Sequence, residues 1–152
     1  LHEIVWRQFS ARKYLWAAFV WCMFDFPSSG REEGDTIGQN DKGLCTRERI
    51  PKDAYFFYRS VWSSEKTIYI TERRHNVRPC NVKIYSNAQS VELIVNDRSL
   101  GIIKRSELSN SNDTVFVWNN VNINKNEKNT ITAKATFDDD TIKYDKVCWY
   151  GK

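Results

Sequence analysis

The sequence predicts an α+β chain in two parts, one β/α unit of a (β/α)8 barrel of the TIM type followed by an all-β sandwich of the immunoglobulin type. Three observations carry this expectation. Residues 15–24 are the most apolar run in the chain, and a glycine- and charge-rich loop and an aromatic helix follow it. Helical spacing of apolar residues precedes the run. From residue 63 onward short alternating, β-branched segments recur between Asn-, Asp- and Ser-rich turns. The expected division is 1–66 for the barrel piece, 67–78 for a linker carrying a short strand, and 79–152 for the sandwich.

The composition suits a folded chain: 152 residues with 41% hydrophobic and 14% aromatic content can build a core. The net charge of +4 comes from 23 basic and 19 acidic residues scattered without a run of five like charges, so no nucleic-acid partner is expected. The apolar run extended to residues 15–26 is far shorter than the roughly 20 residues of a membrane span and carries Asp25, so no span is expected. Four cysteines, Cys22, Cys45, Cys80 and Cys148, show no metal-binding spacing and are expected as buried free thiols. A Cys80–Cys148 pair stays open in an oxidising compartment. No metal and no cofactor are expected.

In chain order, Leu1, Ile4, Val5 and Phe9 recur at helical spacing over residues 1–12, an amphipathic helix that packs on something larger. Residues 15–24 show neither alternation nor a polar face, which fits a strand buried on both sides, as in a parallel sheet covered by helices. The loop after such a strand lies on the functional face of a barrel, which places Trp21, Asp25 and residues 28–49 at the mouth of a site. Gly30, Gly34, Gly38 and Gly43 allow tight turns there. Arg31, Glu32, Glu33, Asp35, Asn40, Asp41, Lys42, Arg47, Glu48 and Arg49 supply polar groups suited to a polyhydroxylated or anionic ligand. Trp21 offers a flat platform for a sugar ring, plain core packing being the alternative, and Asn40 with Lys42 sets an amide beside a point cation. Pro51 and Asp53 suit a first helical turn, so residues 51–62 read as a helix whose face of Ala54, Phe57, Tyr58, Val61 and Trp62 packs back on the sheet.

The segments FVWCMFDF, REEGD and GQNDKGLCTRERIPKDAYFFYRSVW resemble the last strand, loop and helix of the catalytic barrel in glycoside hydrolase family 2, the β-galactosidase and β-glucuronidase family. The resemblance implies that Trp21 lines the sugar subsite and that Asn40 and Lys42 sit at the substrate pocket, where the β-glucuronidases use this motif for the sugar's carboxylate. Asp25, Arg31, Glu33 and Asp35 are then expected behind those contacts. The implied mechanism is a retaining one, with two carboxyl groups about 5 Å apart. The family carries both glutamates on earlier strands, so no catalytic residue is expected in this chain and the chain alone is expected to be inactive. Without an initiator Met, it reads as a piece of a longer protein. A periplasmic or secreted bacterial setting follows from the same resemblance.

In the second part, residues 67–71, 81–85, 90–95, 99–104, 114–118, 129–137 and 141–149 are the candidate strands. VKIYSNAQSVELIVNDRSLG, VFVWNNVNI and DKVCW resemble the immunoglobulin-like domain that follows the barrel in many β-galactosidase-type enzymes. Two departures stand out. Asn96-Asp97 replaces the more usual Asn-Gly, which points to a different hairpin turn, and an asparagine-rich stretch over 119–129 replaces a glycine turn.

Two classes of function follow. The chain is the C-terminal portion of a sugar-cleaving enzyme, supplying substrate contacts, or it is a non-catalytic carbohydrate-binding or scaffolding module. Exposure of Trp118 and Trp149 would favour binding and their burial a prop. Within the enzyme class, Lys42 favours a uronide, but the attached sandwich favours the β-galactosidase type and weighs more, so a β-galactosidase-type enzyme is expected, with a β-glucuronidase or other uronidase as the alternative. A lone barrel strand leaves both sheet edges open, so the rest of the parent enzyme or a second copy is expected to cover it.

Overall fold

The computed structural model describes residues 1–32, 34, 36–73, 81–109 and 113–151. They form two compact units, Leu1–Tyr55 and Phe56–Lys152.

The first unit opens with α1 (His2–Ser10), none of whose residues is buried. The strand expected over residues 15–24 does not form a ladder. Only its end pairs, in a short parallel bridge between Phe24 and Cys45. There the N–H of Leu44 donates to Cys22 O (2.9 Å), that of Cys45 to Met23 O (2.9 Å), and that of Asp25 to Cys45 O (3.0 Å). The reason is physical: a strand exists by virtue of neighbours that take its N–H and C=O groups, and among the described residues the Leu15 N–H meets only Arg12 O in a local turn (3.0 Å) while residues 16–21 have no strand beside them. Their side chains are correspondingly exposed, Trp16 and Phe19 to 93% each. The Trp21–Cys22 peptide is cis.

Beyond it, β1 (Phe26–Pro27) and β2 (Gln39–Asn40) form an antiparallel ribbon pairing Phe26 with Asn40 and Pro27 with Gln39. The loop between them closes on itself, Ser28 N–H to Gly38 O and Gly38 N–H to Arg31 O. Gly43 is required by close approach: a Cβ there would lie 2.3 Å from Asp25 N and 2.4 Å from Phe24 C.

Helix α2 (Asp53–Trp62) starts two residues later than expected, because Pro51 bridges Cys45 and Lys52 donates its N–H to Leu44 O before the helix begins. Within the second unit its aromatic residues pack on strands of the sandwich rather than on a barrel sheet. Phe56 stacks on Tyr69 with centroids 3.8 Å apart, and Phe57 meets Tyr85 edge-on at 5.4 Å. Ser60 Oγ donates to Phe57 O (2.7 Å) and lies 2.8 Å from Thr114 Oγ1, whose hydroxyl can donate to it.

The seven expected strands form, each within a residue or two of its expected ends. They are β3 (Ile68–Ile70), β4 (Val82–Ser86), β5 (Ser90–Val95), β6 (Arg98–Lys104), β7 (Val115–Trp118), β8 (Lys128–Thr136) and β9 (Ile142–Tyr150). They make two antiparallel sheets, ordered β3-β4-β7 and β6-β5-β8-β9. Alternate residues point inward, Val91, Leu93 and Val95 from β5 and Ile131, Ala133 and Ala135 from β8, and meet Ile70, Val82, Ile84 and Phe116 from the other sheet in one core. Trp118 and Trp149 are both buried, at 8% and 2% exposure.

The edge strands of the two sheets are tied together. Asp145 on β9 accepts the Ile70 N–H of β3 (2.7 Å) and pairs with Arg73, whose Nε donates to Ile70 O (2.9 Å). The β5–β6 hairpin corrects one expectation: Asn96 (φ 48°) and Asp97 (φ 64°) both adopt the left-handed conformation. That is the two-residue turn an Asn-Gly pair would make, because the strand twist selects it. The cysteines also depart from expectation. Cys45 is buried and burial pushes its thiol up, but Cys22 is half-buried and Cys148 is exposed. Cys80 lies outside the described residues. No helix among the described residues is long and apolar enough to cross a membrane.

Candidate functional site

The residues singled out from sequence belong to the first unit, and a buried ion pair organises them. Asp25 leaves the Phe24–Cys45 bridge with its carboxylate turned inside, where Oδ1 accepts Lys52 Nζ at 2.6 Å and the Gly43 N–H at 2.9 Å. The side chains are 3% and 13% exposed. Lys52 Nζ also donates to Asp41 O (2.9 Å), so one ammonium fixes both the strand end and the loop after β2. A charge in so dry a place is tolerable only when paired and hydrogen-bonded, and this one is. Asp25 therefore anchors the loop from below.

On that frame, Asn40 is buried, and its Oδ1 accepts the Lys42 N–H (3.1 Å), a turn that sets the direction of Lys42. Asn40 Nδ2 and the Lys42 ammonium have no partner among the described residues, and the Lys42 side chain is exposed. Asp41 is held by Gln39 Nε2 (2.7 Å) and by its own carbonyl's bond to Lys52. Trp21 is 71% exposed and meets Phe26 edge-on with centroids 6.2 Å apart, and Phe26 is the register partner of Asn40. Phe26 thus joins the aromatic platform to the amide and the cation. Trp21 shares its exposure with Trp16 and Phe19 of the same run, so both readings of Trp21, platform and core packing, stay open within this chain.

Arg31 is half-buried, and its backbone carbonyl ties the loop to Gly38. Glu33 and Asp35 lie outside the described residues. No group of three or more His, Cys, Asp or Glu that could hold a metal ion occurs among the described residues. Sequence reasoning missed Lys52 and Phe26. Lys52 sits 27 residues from Asp25 and carries no local signature. Phe26 could have been found from the register of the β1–β2 ribbon, had its two-residue strands been legible.

The arrangement offers an exposed indole, a buried amide with one free N–H pair, and an unpaired ammonium, and no acid/base pair among the described residues. It can orient a ring that bears hydroxyl and anionic groups.

Comparison with known proteins adds to this geometry. A family model described as "Domain of unknown function (DUF4982)" matches residues 78–141. The chain is 36% identical, over 94% of its length, to a β-glucuronidase of Bacteroides fragilis, and 25% identical, over 88% of its length, to the β-galactosidase BoGH2A of Bacteroides ovatus. It spans 21% and 15% of the length of these curated relatives. Among solved structures it matches an FMN-binding β-glucuronidase from Facaelibacterium prausnitzii L2-6 with a TM-score of 0.81 and 31% identity, covering 99% of this chain and 22% of that one.

Proposed function

We propose that this chain is the C-terminal portion of a retaining glycoside hydrolase of family 2 that acts on β-glucuronides, made of the last β/α unit of the catalytic barrel and the immunoglobulin-like domain behind it. The observation that carries the reading is the Asn40–Lys42 turn, which presents an unpaired ammonium and an amide on a ribbon whose Phe26, the register partner of Asn40, meets the Trp21 ring. A neutral galactoside gives Lys42 nothing to neutralise it, whereas a uronate supplies a carboxylate, and charge-assisted contacts of that kind are about twice as strong as neutral ones. The sandwich does not weigh against this. Similarity to the F. prausnitzii β-glucuronidase extends over 99% of the chain, both units included, so the pairing of units is not peculiar to galactosidases.

In this reading Trp21 packs on the sugar ring, Asn40 Nδ2 donates to a ring substituent and Lys42 holds the carboxylate. Asp25 and Lys52 keep the loop in register. The acid/base and nucleophilic carboxyl groups come from the part of the parent that this chain does not span. The β-galactosidase reading is favoured by the BoGH2A relative and differs in what Lys42 contacts.

Paired assays of the parent enzyme on p-nitrophenyl glucuronide and galactoside separate the two. Lys42→Ala is expected to lower kcat/KM on the glucuronide by about a hundredfold, the loss of one desolvated charge pair, and to leave the galactoside within a few-fold. Equal losses on both would overturn the uronide reading, and turnover by the 152-residue chain alone would overturn the assignment of catalysis to the rest of the parent.

A further inference from the structure

We propose that the groove between the β5–β6 hairpin and the asparagine-rich loop after β7 is a second saccharide-binding site, taking an acidic glycan whose anionic group meets Arg98. The groove is open, has a volume of about 530 Å³, and is lined among others by Arg98, Leu100, Trp118, Asn119, Asn120 and Asn122. That volume is of the size small-ligand sites have, but the lining is more polar than is usual for them, with five asparagines and Arg98 against Val95, Leu100, Trp118 and Val121, which suits a hydroxyl-rich ligand.

The asparagines divide into two sets. Asn96, Asn124 and Asn129 are consumed in the frame. Asn129 is fully buried, its Nδ2 donating to Asn124 O and Glu127 O, and its Oδ1 accepting from Asn124 N–H and Asn96 Nδ2. Asn96 Oδ1 accepts the Thr130 N–H. The side chains of Asn119, Asn120 and Asn122 have no hydrogen-bond partner among the described residues, although Asn120 is held through its backbone by Asn81 Oδ1 (3.1 Å). Three free amides are thus presented from a loop already fixed at both ends, so binding orders few new degrees of freedom.

Each amide has two donors and an acceptor, the complement of neighbouring hydroxyls on a pyranose. Leu100, 37% exposed, is the accessible apolar part of the lining, whereas Trp118 is buried in the core and offers no stacking face, so the contacts offered are polar and not the aromatic stacking that an exposed Trp118 would have given. The Arg98 guanidinium has no carboxylate partner among the described residues, and its planar fork suits a carboxylate or sulfate. The choice of a uronate probe rests on the function proposed above. The existence of the site does not.

The test is an NMR titration of the ¹⁵N-labelled 152-residue chain, carrying Trp16→Lys/Phe19→Glu in the first unit to keep it monomeric, with a tetrasaccharide of alternating glucuronate and N-acetylglucosamine, and separately with neutral cellotetraose. Saturable shifts are expected in the side-chain amides of Asn119, Asn120 and Asn122 with both, and tighter with the acidic probe. Arg98→Ala should weaken the acidic probe about tenfold and leave the neutral one unchanged, and the Asn119→Ala/Asn122→Ala pair should weaken both. All three positions are exposed, so unchanged resonances of Val91 and Leu93 report an intact core. Absence of saturable shifts, or shifts unaffected by either variant, would overturn the site. Binding of both probes with no effect of Arg98→Ala would overturn its acidic preference. Because no hydrolysis is measured, failure here leaves the proposed function of the parent untouched, and the reverse also holds.

Discussion

A carboxylate with no access to water survives only if something neutralises it, and Asp25 shows how few residues that takes. Lys52 and the Gly43 N–H share its Oδ1. Lys52→Met leaves the charge buried and unpaired, so it is expected to destabilise the first unit by about 3–5 kcal/mol, while Asp25→Asn combined with Lys52→Met should cost less than the sum of the two. Urea denaturation of the three variants checks both statements. Gly43→Ala fails for a steric reason, since the atoms its methyl would strike are backbone and cannot turn aside, and a loss of about 3 kcal/mol is expected in the same assay. Asp139 presents the opposite situation, a fully exposed carboxylate. Hydrogen bonds from Lys66 and Thr141 hold its pKa well below the ordinary value. A lowered pKa means that the contribution is present above the ordinary carboxylate range and is lost as pH falls toward the lowered value. The stability difference between wild type and Asp139→Asn should therefore be constant from about pH 6 to about pH 4.5 and shrink below that, as followed by thermal melts.

At the level of elements, the β5–β6 hairpin keeps a left-handed two-residue turn although Asp97 stands where glycine costs less. Asp97→Gly removes that strain while adding freedom to the unfolded chain, and the net gain expected is about 0.5 kcal/mol, read as a small rise in melting temperature. The neighbouring Asn129 pulls the other way. Its amide makes four hydrogen bonds in a dry site, so Asn129→Ala should cost about 3 kcal/mol and loosen residues 124–127. The strands of the second unit were legible because a half-buried strand writes its burial into a period of two, as Val91, Leu93 and Val95 show, and that signal needs no knowledge of the partner strand. The run over residues 15–24 forms no ladder within this chain for the complementary reason. Its apolarity says what must be covered, and ladder formation depends on neighbours that no local pattern encodes. Lys52 belongs to the same class, since ion pairing across 27 residues leaves no periodicity behind. Asn40 and Lys42 were legible because their spacing builds a local turn.

For the molecule as a whole, the two units stand in different relations to water. The second has a closed core shared by both its sheets. The first presents Trp16, Phe19, Tyr14 and Trp21 to solvent, together with Ile4 and Val5 of α1, far more apolar surface than scattered exposure explains. The chain spans 15–22% of the length of the relatives named above, and under the proposed function such a surface is what the rest of the barrel would cover. Produced alone, the 152-residue chain is then expected to cover it by self-association. Light scattering after size exclusion should give masses above the monomer that fall with dilution, because each buried apolar side chain contributes about 1.5–3 kcal/mol. The Trp16→Lys/Phe19→Glu pair should return the isolated chain to a monomer without altering the melting of the second unit, whose core contains neither residue. The same pair placed in the parent should have the reverse consequence, burying two unpaired charges inside the barrel and abolishing its folding. A wild-type chain that runs as a monomer at all concentrations would refute association. A parent that tolerates both charges would refute burial of this run and, with it, the placement of Trp21 in a barrel wall.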